Sequence, residues 1–206
     1  MPARAPHVVH LIGAASAEQR TMLTAICRAR TASGLSQWSS SRHDGYATTD
    51  LAVRDVAALD DAARPLLETA VLRGVAQLLR EEGRSDAEAE ARRETRKVRD
   101  IFVARYDGDA ASAAAPDGPG DGRGQRGLAR HVDGSRFSFN CLLSQPETDF
   151  GGGGTRFFAD NADSDAHVDF HPLAGDMLVH RGGIEHEGLP VTRGTRFILV
   201  GFLGAS

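Results

Sequence analysis

His131-Val132-Asp133, and far downstream His186-Glu187-Gly188-Leu189-Pro190 running into Thr195-Arg196-Phe197-Ile198-Leu199-Val200-Gly201-Phe202-Leu203, form the stretch that decides how this chain is read. On a β-strand, residues i and i+2 point to the same face, so an extended segment at 131–133 aims an imidazole and a carboxylate at one place. His186 adds a second imidazole from a distant part of the chain. In the closing run, Arg196, Ile198 and Val200 alternate with Phe197, Leu199 and Gly201, which puts the guanidinium on a strand face shared with aliphatic side chains. A basic group buried on such a face requires an anionic partner.

Two imidazoles and one carboxylate on one face of an octahedron, with the other positions open, are the donor set of non-haem Fe(II) oxygenases. A lone His-x-Asp is common by chance and carries little without its context. His167, His171 and His180 compete as ligands, and His180, on a strand just ahead of Gly182-Gly183, competes most directly with His186. The four glycines Gly151 to Gly154 are not a phosphate cradle. Such a cradle needs a helix directly after it, whereas Thr155-Arg156-Phe157-Phe158 has the pattern of a strand. A tight turn with positive φ angles accounts for them.

Around this core, 206 residues with 41% hydrophobic and 25% charged side chains suit one globular domain with a real core. A net charge of −4, with no basic stripe interleaved with aromatics, argues against a nucleic-acid or membrane footprint. Cys27 and Cys141 provide no disulfide framework, and the N-terminal stretch lacks an apolar run long enough for a signal sequence, so a cytoplasmic location is expected. Cys27 reads as core filler.

Upstream, Val8 to Ile12 is an apolar run ending at Gly13, expected as an edge strand. Ser16 and Gln19 form a capping box for a helix whose apolar face is Met22, Leu23, Ile26 and Cys27, ending before Gly34. Residues 35–41 read as a polar turn and 45–53 as a strand. A second helix is expected from about Asp60, with Pro65 in its first turns and Leu67, Val71, Val75, Leu78 and Leu79 as its core stripe. Gly83 ends it. Ser85 and Glu88 form a second capping box for a charged helix through Lys97 whose mixed charges read as a solvated face, and Val98 to Tyr106 is the next strand. Asp107 to Gly127, rich in Ala, Gly, Asp and Pro without periodicity, reads as a long mobile loop. Short strands separated by Gly-rich turns follow to the end, including a turn at Pro172 to Asp176. Residues 1–97 are therefore expected as a supporting region of the same domain and 98–206 as its catalytic core.

The stretches HVDGSRFSFNCLLSQPETDFGGGGTRFF and PLAGDMLVHRGGIEHEGLPVTRGTRFILVGFL, in order from Arg130 to Leu203, resemble the catalytic core of prolyl and lysyl hydroxylases in the 2-oxoglutarate/Fe(II) dioxygenase superfamily. The resemblance implies a mainly β fold, a double-stranded β-helix (jelly roll, cupin-like) with the N-terminal helices packed on one sheet. It implies His131, Asp133 and His186 as iron ligands and Arg196 as the clamp on the distal carboxylate of 2-oxoglutarate, which a bidentate guanidinium suits. Tyr106 matches a tyrosine that helps bind the cosubstrate, although the long insertion before His131 departs from the family there. Asn140 falls where lysyl hydroxylases also have asparagine. Thr192, Thr195 and Leu142 are expected as pocket wall, and Arg193 as a solvated side chain near Gly194.

The implied activity is hydroxylation of an unactivated C–H bond using Fe(II), 2-oxoglutarate and O2, with ascorbate as reductant and release of succinate and CO2. A prolyl or lysyl side chain in a peptide is the expected substrate. Alternatives are a free amino acid or other small molecule, a non-catalytic metal-binding jelly-roll sensor, and a cupin-like hydrolase or isomerase.

Overall fold

The computed structural model describes residues 5–32, 38–40, 42–43, 48–108, 125–159 and 165–205. Residues 109–124 of the expected loop, 45–47 of the expected strand and 35–37 and 41 of the expected turn lie outside that set. The larger of two antiparallel sheets runs β1 (Val8–Leu11), β9 (Met177–Arg181), β5 (Ser135–Leu142), β11 (Val191–Ala205), β3 (Val98–Asp107) and β2 (Asp50–Ala52), with β6 (Phe150–Gly152) bonded to the start of β11. The smaller sheet runs β4 (Leu128–His131), β10 (His186–Gly188), β7 (Thr155–Phe158) and β8 (His167–Phe170). Together they form a jelly roll with helices against the outer face of the larger sheet.

Period-2 alternation explains why the central strands read as almost continuous apolar runs: both of their faces are buried. Ile101 and Val103 of β3, Phe137, Phe139 and Cys141 of β5, and Phe197, Leu199 and Leu203 of β11 join the helices in the main core. Their neighbours in sequence point the other way. Phe102, Ala104 and Tyr106, Ser138 and Asn140, and Arg196, Ile198, Val200 and Phe202 line a cavity shared with the smaller sheet. β11 is the pivot, because it pairs with β3 along one edge and with β5 along the other.

The helices are α1 (Ala17–Ala32), α2 (Ala57–Leu66), α3 (Leu72–Glu81) and α4 (Ala87–Thr95). The first capping box is made in both directions: the Ser16 amide donates to Gln19 Oε1 at 2.9 Å and the Gln19 amide to Ser16 Oγ at 3.2 Å. Leu23 and Cys27 are buried as expected, but Met22 is 49% exposed and faces away from the core. The second helix begins earlier than Asp60, and Pro65 sits inside it rather than in its first turns. Pro65 has no amide to bond the carbonyl of Asp61 and its ring crowds that carbonyl, and the next turn, Leu67–Val71, widens to a π-helix before α3 resumes.

The second capping box is not made. Asp86 is the N-cap of α4 but makes no side-chain capping bond, Glu88 pairs with Arg80 instead, and the helix ends at Thr95, short of Lys97. Nor do all of its charges lie on the solvated face. Ala87, Glu90, Ala91 and Glu94 follow the i, i+3, i+4, i+7 spacing of a buried stripe, and Glu90 and Glu94 are 2% and 3% exposed. Their charges are met by Arg84 at 3.0 Å from Glu90, and by Lys97 at 2.9 Å and Arg136 at 3.1 Å from Glu94.

α3 meets the sheet most closely at Gly74, where an added Cβ would stand 2.6 Å from Val179 Cγ2 and 3.0 Å from Leu11 Cδ1. Helix propensity alone favours Gly74→Ala by about 1 kcal/mol. Overpacking against β1 and β9 should outweigh it, and urea denaturation of Gly74→Ala is expected to show a net loss of about 1–2 kcal/mol. A gain in stability would mean that α3 can move off the sheet freely.

Candidate functional site

His131 ends β4, His186 opens β10, and the two residues are direct partners in the ladder. Their imidazole centroids are 4.3 Å apart. Asp133 lies just beyond β4 rather than within the strand, so strand alternation is not what aims it. Its amide donates to the Gly182 carbonyl at 2.8 Å, tying it to the turn that leads towards β10. The three side chains converge: Asp133 Oδ1 is 3.6 Å from His131 Nε2, Asp133 Oδ2 is 3.8 Å from His186 Nε2, and one ligand atom from each lies within 4.8 Å of the others.

Second contacts set the tautomers. His131 Nδ1 is 2.7 Å from the Ala129 carbonyl and His186 Nδ1 is 2.9 Å from the Ile184 carbonyl. Carbonyl acceptors assign the proton to Nδ1 in both rings and turn each Nε2 lone pair towards Asp133. Burial, then the neighbouring imidazole (His186 for His131, His180 for His186), pushes both rings down to about 4. Both are neutral near pH 7, as a metal ligand must be. His180 also lines the cavity, 1% exposed, with its ring 4.8 Å from that of His186 and its Nδ1 2.9 Å from the Arg181 carbonyl. It sits beside the cluster, whereas His167 and His171 are exposed.

Arg196 is buried to 1% exposure in the same cavity. Its Nη1 donates to the Gly154 carbonyl at 3.2 Å, its Cζ stands 5.7 Å from the Tyr106 ring centre, and its Nε has no hydrogen-bond partner. Among the described residues, no carboxylate pairs with it. The glycine turn serves this side chain directly. Gly153, at φ +71°, lets the arginine pass where a Cβ would stand 3.2 Å from its Cδ. Tyr106 is 3% exposed, and burial raises its hydroxyl to about 12, so it remains a neutral donor. Asn140, 8% exposed, lines the cavity from β5.

Of the expected pocket wall, none of Thr192, Thr195 and Leu142 lines the cavity. Thr192 is exposed, Thr195 donates to Asp107 Oδ1 at 2.7 Å, and Leu142 packs in an apolar cluster with Phe150 and Val191. Arg193 is exposed and bonded to Glu147, as expected. Sequence reasoning missed Thr155, which follows the glycine turn, and Thr48, Ser138, Phe102 and Phe202. The signal for Phe102 and Phe202 was present, since they lie four residues before Tyr106 and six after Arg196 on the same strand faces.

Residues 122–204 match the family model described as the 2OG-Fe(II) oxygenase superfamily. Human procollagen-lysine,2-oxoglutarate 5-dioxygenase 1 is 42% identical over 81 residues, and the rat multifunctional procollagen lysine hydroxylase and glycosyltransferase LH3 is also 42% identical over 81 residues. Each alignment covers 38% of this chain and 10% of the relative, so the chain spans about a tenth of the length of the curated relatives it matches. Among solved structures, a Pseudomonas putida prolyl-4-hydroxylase superposes with a TM-score of 0.56 at 21% identity, covering 97% of this chain and 92% of that one. The α-ketoglutarate-dependent epimerase SnoN of nogalamycin biosynthesis superposes with a TM-score of 0.62 at 14% identity, covering 98% and 77%. At these identities the two structures speak for a common fold.

Burial of neutral histidines makes stability depend on pH in a definite direction. The unfolded chain takes up protons on these rings near pH 6.5, whereas the folded, metal-free protein takes them up only near 4. Stability is therefore full above about pH 6.5 and falls as pH drops towards 4. Thermal unfolding in chelator across that window should show the loss, and a His131→Asn/His186→Asn double variant should flatten it. An unchanged slope in the double variant would place the pH dependence elsewhere.

Proposed function

We propose that this chain, whose residues 122–204 match the 2OG-Fe(II) oxygenase superfamily model, is a 2-oxoglutarate-dependent dioxygenase hydroxylating a prolyl or lysyl side chain in a peptide. The observation that carries the reading is Arg196, a buried guanidinium with an orphaned Nε, in one cavity with a His131–Asp133–His186 cluster. That pairing fits a small dianion that chelates a metal at one end and meets a fixed cation at the other.

In this reading His131 Nε2, Asp133 and His186 Nε2 would hold Fe(II), and Arg196 would bind the distal carboxylate of 2-oxoglutarate, with Tyr106 and Asn140 as further polar contacts. When bound, the iron supplies the O2-dependent decarboxylation that yields succinate and CO2 and the oxidation of the substrate C–H bond. The chain's own contribution is placement and shelter. The Ala129 and Ile184 carbonyls keep the imidazoles oriented, and Asp133 is held by its amide. Phe102, Ala104, Leu128, Ile198 and Val200 give the cavity apolar walls that limit water. The lysyl hydroxylase relatives support a peptide side chain as target, with a free amino acid as the second candidate within the same chemistry.

Succinate formation with Fe(II), 2-oxoglutarate and ascorbate, together with mass spectrometry of peptide and amino-acid products, tests the activity. His131→Ala and Asp133→Ala are each expected to abolish turnover. Arg196→Ala is expected to raise the 2-oxoglutarate KM about tenfold to a hundredfold, the worth of a hydrogen-bonded charge contact. An unaltered 2-oxoglutarate requirement in Arg196→Ala would remove that residue from the cosubstrate site. Catalysis without O2 or 2-oxoglutarate would favour a hydrolase or isomerase instead.

A further inference from the structure

The inner face of β11 presents Arg196, Ile198, Val200 and Phe202 in succession along the cavity. Phe202 lies six residue steps of extended strand beyond Arg196, about 20 Å. Phe202 is also a wall of a second, open groove formed with Arg42, His43, Arg54, Arg99, Asp100 and Gly134. Groove and cavity therefore share Phe202 as a wall, at the end of β11 remote from Arg196 and too far for a five-carbon diacid anchored at Arg196 to reach.

The groove is cationic, and its charges are unequally committed. Arg42 bridges the buried Asp50 and Asp100. Arg54, 69% exposed, stands 3.7 Å from Asp100. Arg99 is exposed and has no ion pair among the described residues. Its Nη1 lies 3.8 Å from where a Cβ on Gly134 would sit, next in sequence to Asp133. A cation that Asp100 does not neutralise thus stands at the mouth of the cavity, beside the backbone of the metal-ligand cluster.

We propose that this groove is the substrate-selecting subsite, where Arg99, assisted by Arg54, binds a carboxylate of the substrate while the target carbon enters past Phe202. The proposal rests on the dioxygenase reading above. The carboxylate is either an acidic side chain flanking the target residue or the main-chain carboxylate of a free amino acid. An exposed guanidinium–carboxylate contact at such a mouth selects by roughly tenfold and weakens with salt.

Peptide-dependent succinate formation, with saturating Fe(II) and 2-oxoglutarate, is measured for matched peptides carrying Glu, Gln or Lys beside the target, and for a free amino acid against its amide. Native protein is expected to prefer the Glu peptide over the Gln peptide, or the free acid over its amide, by about tenfold in kcat/KM, the preferred arm identifying the source. Arg99→Gln should bring that ratio close to one, and Arg99→Glu should turn it towards the Lys peptide. Arg73→Gln, an exposed arginine on α3, should leave the ratio as it is, and raising the ionic strength should shrink it. Turnover that is indifferent to the carboxylate in native protein, or a preference undiminished in both Arg99 variants, overturns the subsite while leaving the dioxygenase reading intact. Absence of succinate with every substrate overturns that reading and the subsite with it.

Discussion

A guanidinium sealed inside a β fold with one carbonyl for company is the constraint on which this structure turns. Arg196 sits at 1% exposure with its Nε unbonded, and desolvation lowers its affinity for the proton it carries. Such a residue costs several kcal/mol unless something anionic compensates it. Much of the local architecture exists to seat it. Gly153 clears its path, the Gly154 carbonyl takes one of its hydrogen bonds, Tyr106 lies beside it, and β11 is held on both edges by β3 and β5.

The His131–Asp133–His186 cluster is organised by a different device, the pairing of two short strands. His131 and His186 face each other because β4 and β10 are in register there, backbone carbonyls accept from both rings, and Phe157 stacks on His186. Asp133 is positioned by its own amide on Gly182. A ligand set built on backbone contacts is rigid in the way a preorganised site needs to be. The larger sheet then separates two environments: an outer face committed to the helices and an inner face committed to the cavity.

Legibility in the sequence followed the range of the interactions involved. The Ser16–Gln19 capping box, the positive φ of the glycine turn and the alternation of Arg196 with Phe197 are local or period-2 signals, and all are present in the structure. The convergence of His131, Asp133 and His186 was implied by a family resemblance, and the three side chains meet by a route other than strand alternation, since Asp133 is outside the strand. What could not be read depends on which elements stack. Glu90 and Glu94 look solvated in a charged helix, yet Arg136 and Arg84 draw them inward. Leu142 and Thr195 share a neighbourhood with cavity residues but pack elsewhere. Thr155 and Thr48 reach the cavity from strands and loops whose placement no periodicity reveals. The groove at Phe202 joins residues 42–43, 54, 99–100, 134 and 202, a set that only the assembled sheet brings together.

The central claim is that Arg196 is kept for a bound dianion at the expense of the free protein, and the most direct measurement is the unfolding free energy of native protein and Arg196→Met, each with and without 2-oxoglutarate and a redox-inert divalent metal. The account predicts that Arg196→Met is at least as stable as native in the ligand-free state, because an uncompensated buried charge has been replaced by an apolar side chain of similar length. It also predicts that only native protein gains substantially from 2-oxoglutarate, by about 2.7 kcal/mol at a hundred times Kd. A ligand-free Arg196→Met that is several kcal/mol less stable, with an undiminished gain from 2-oxoglutarate, would make Arg196 a structural residue and contradict the account.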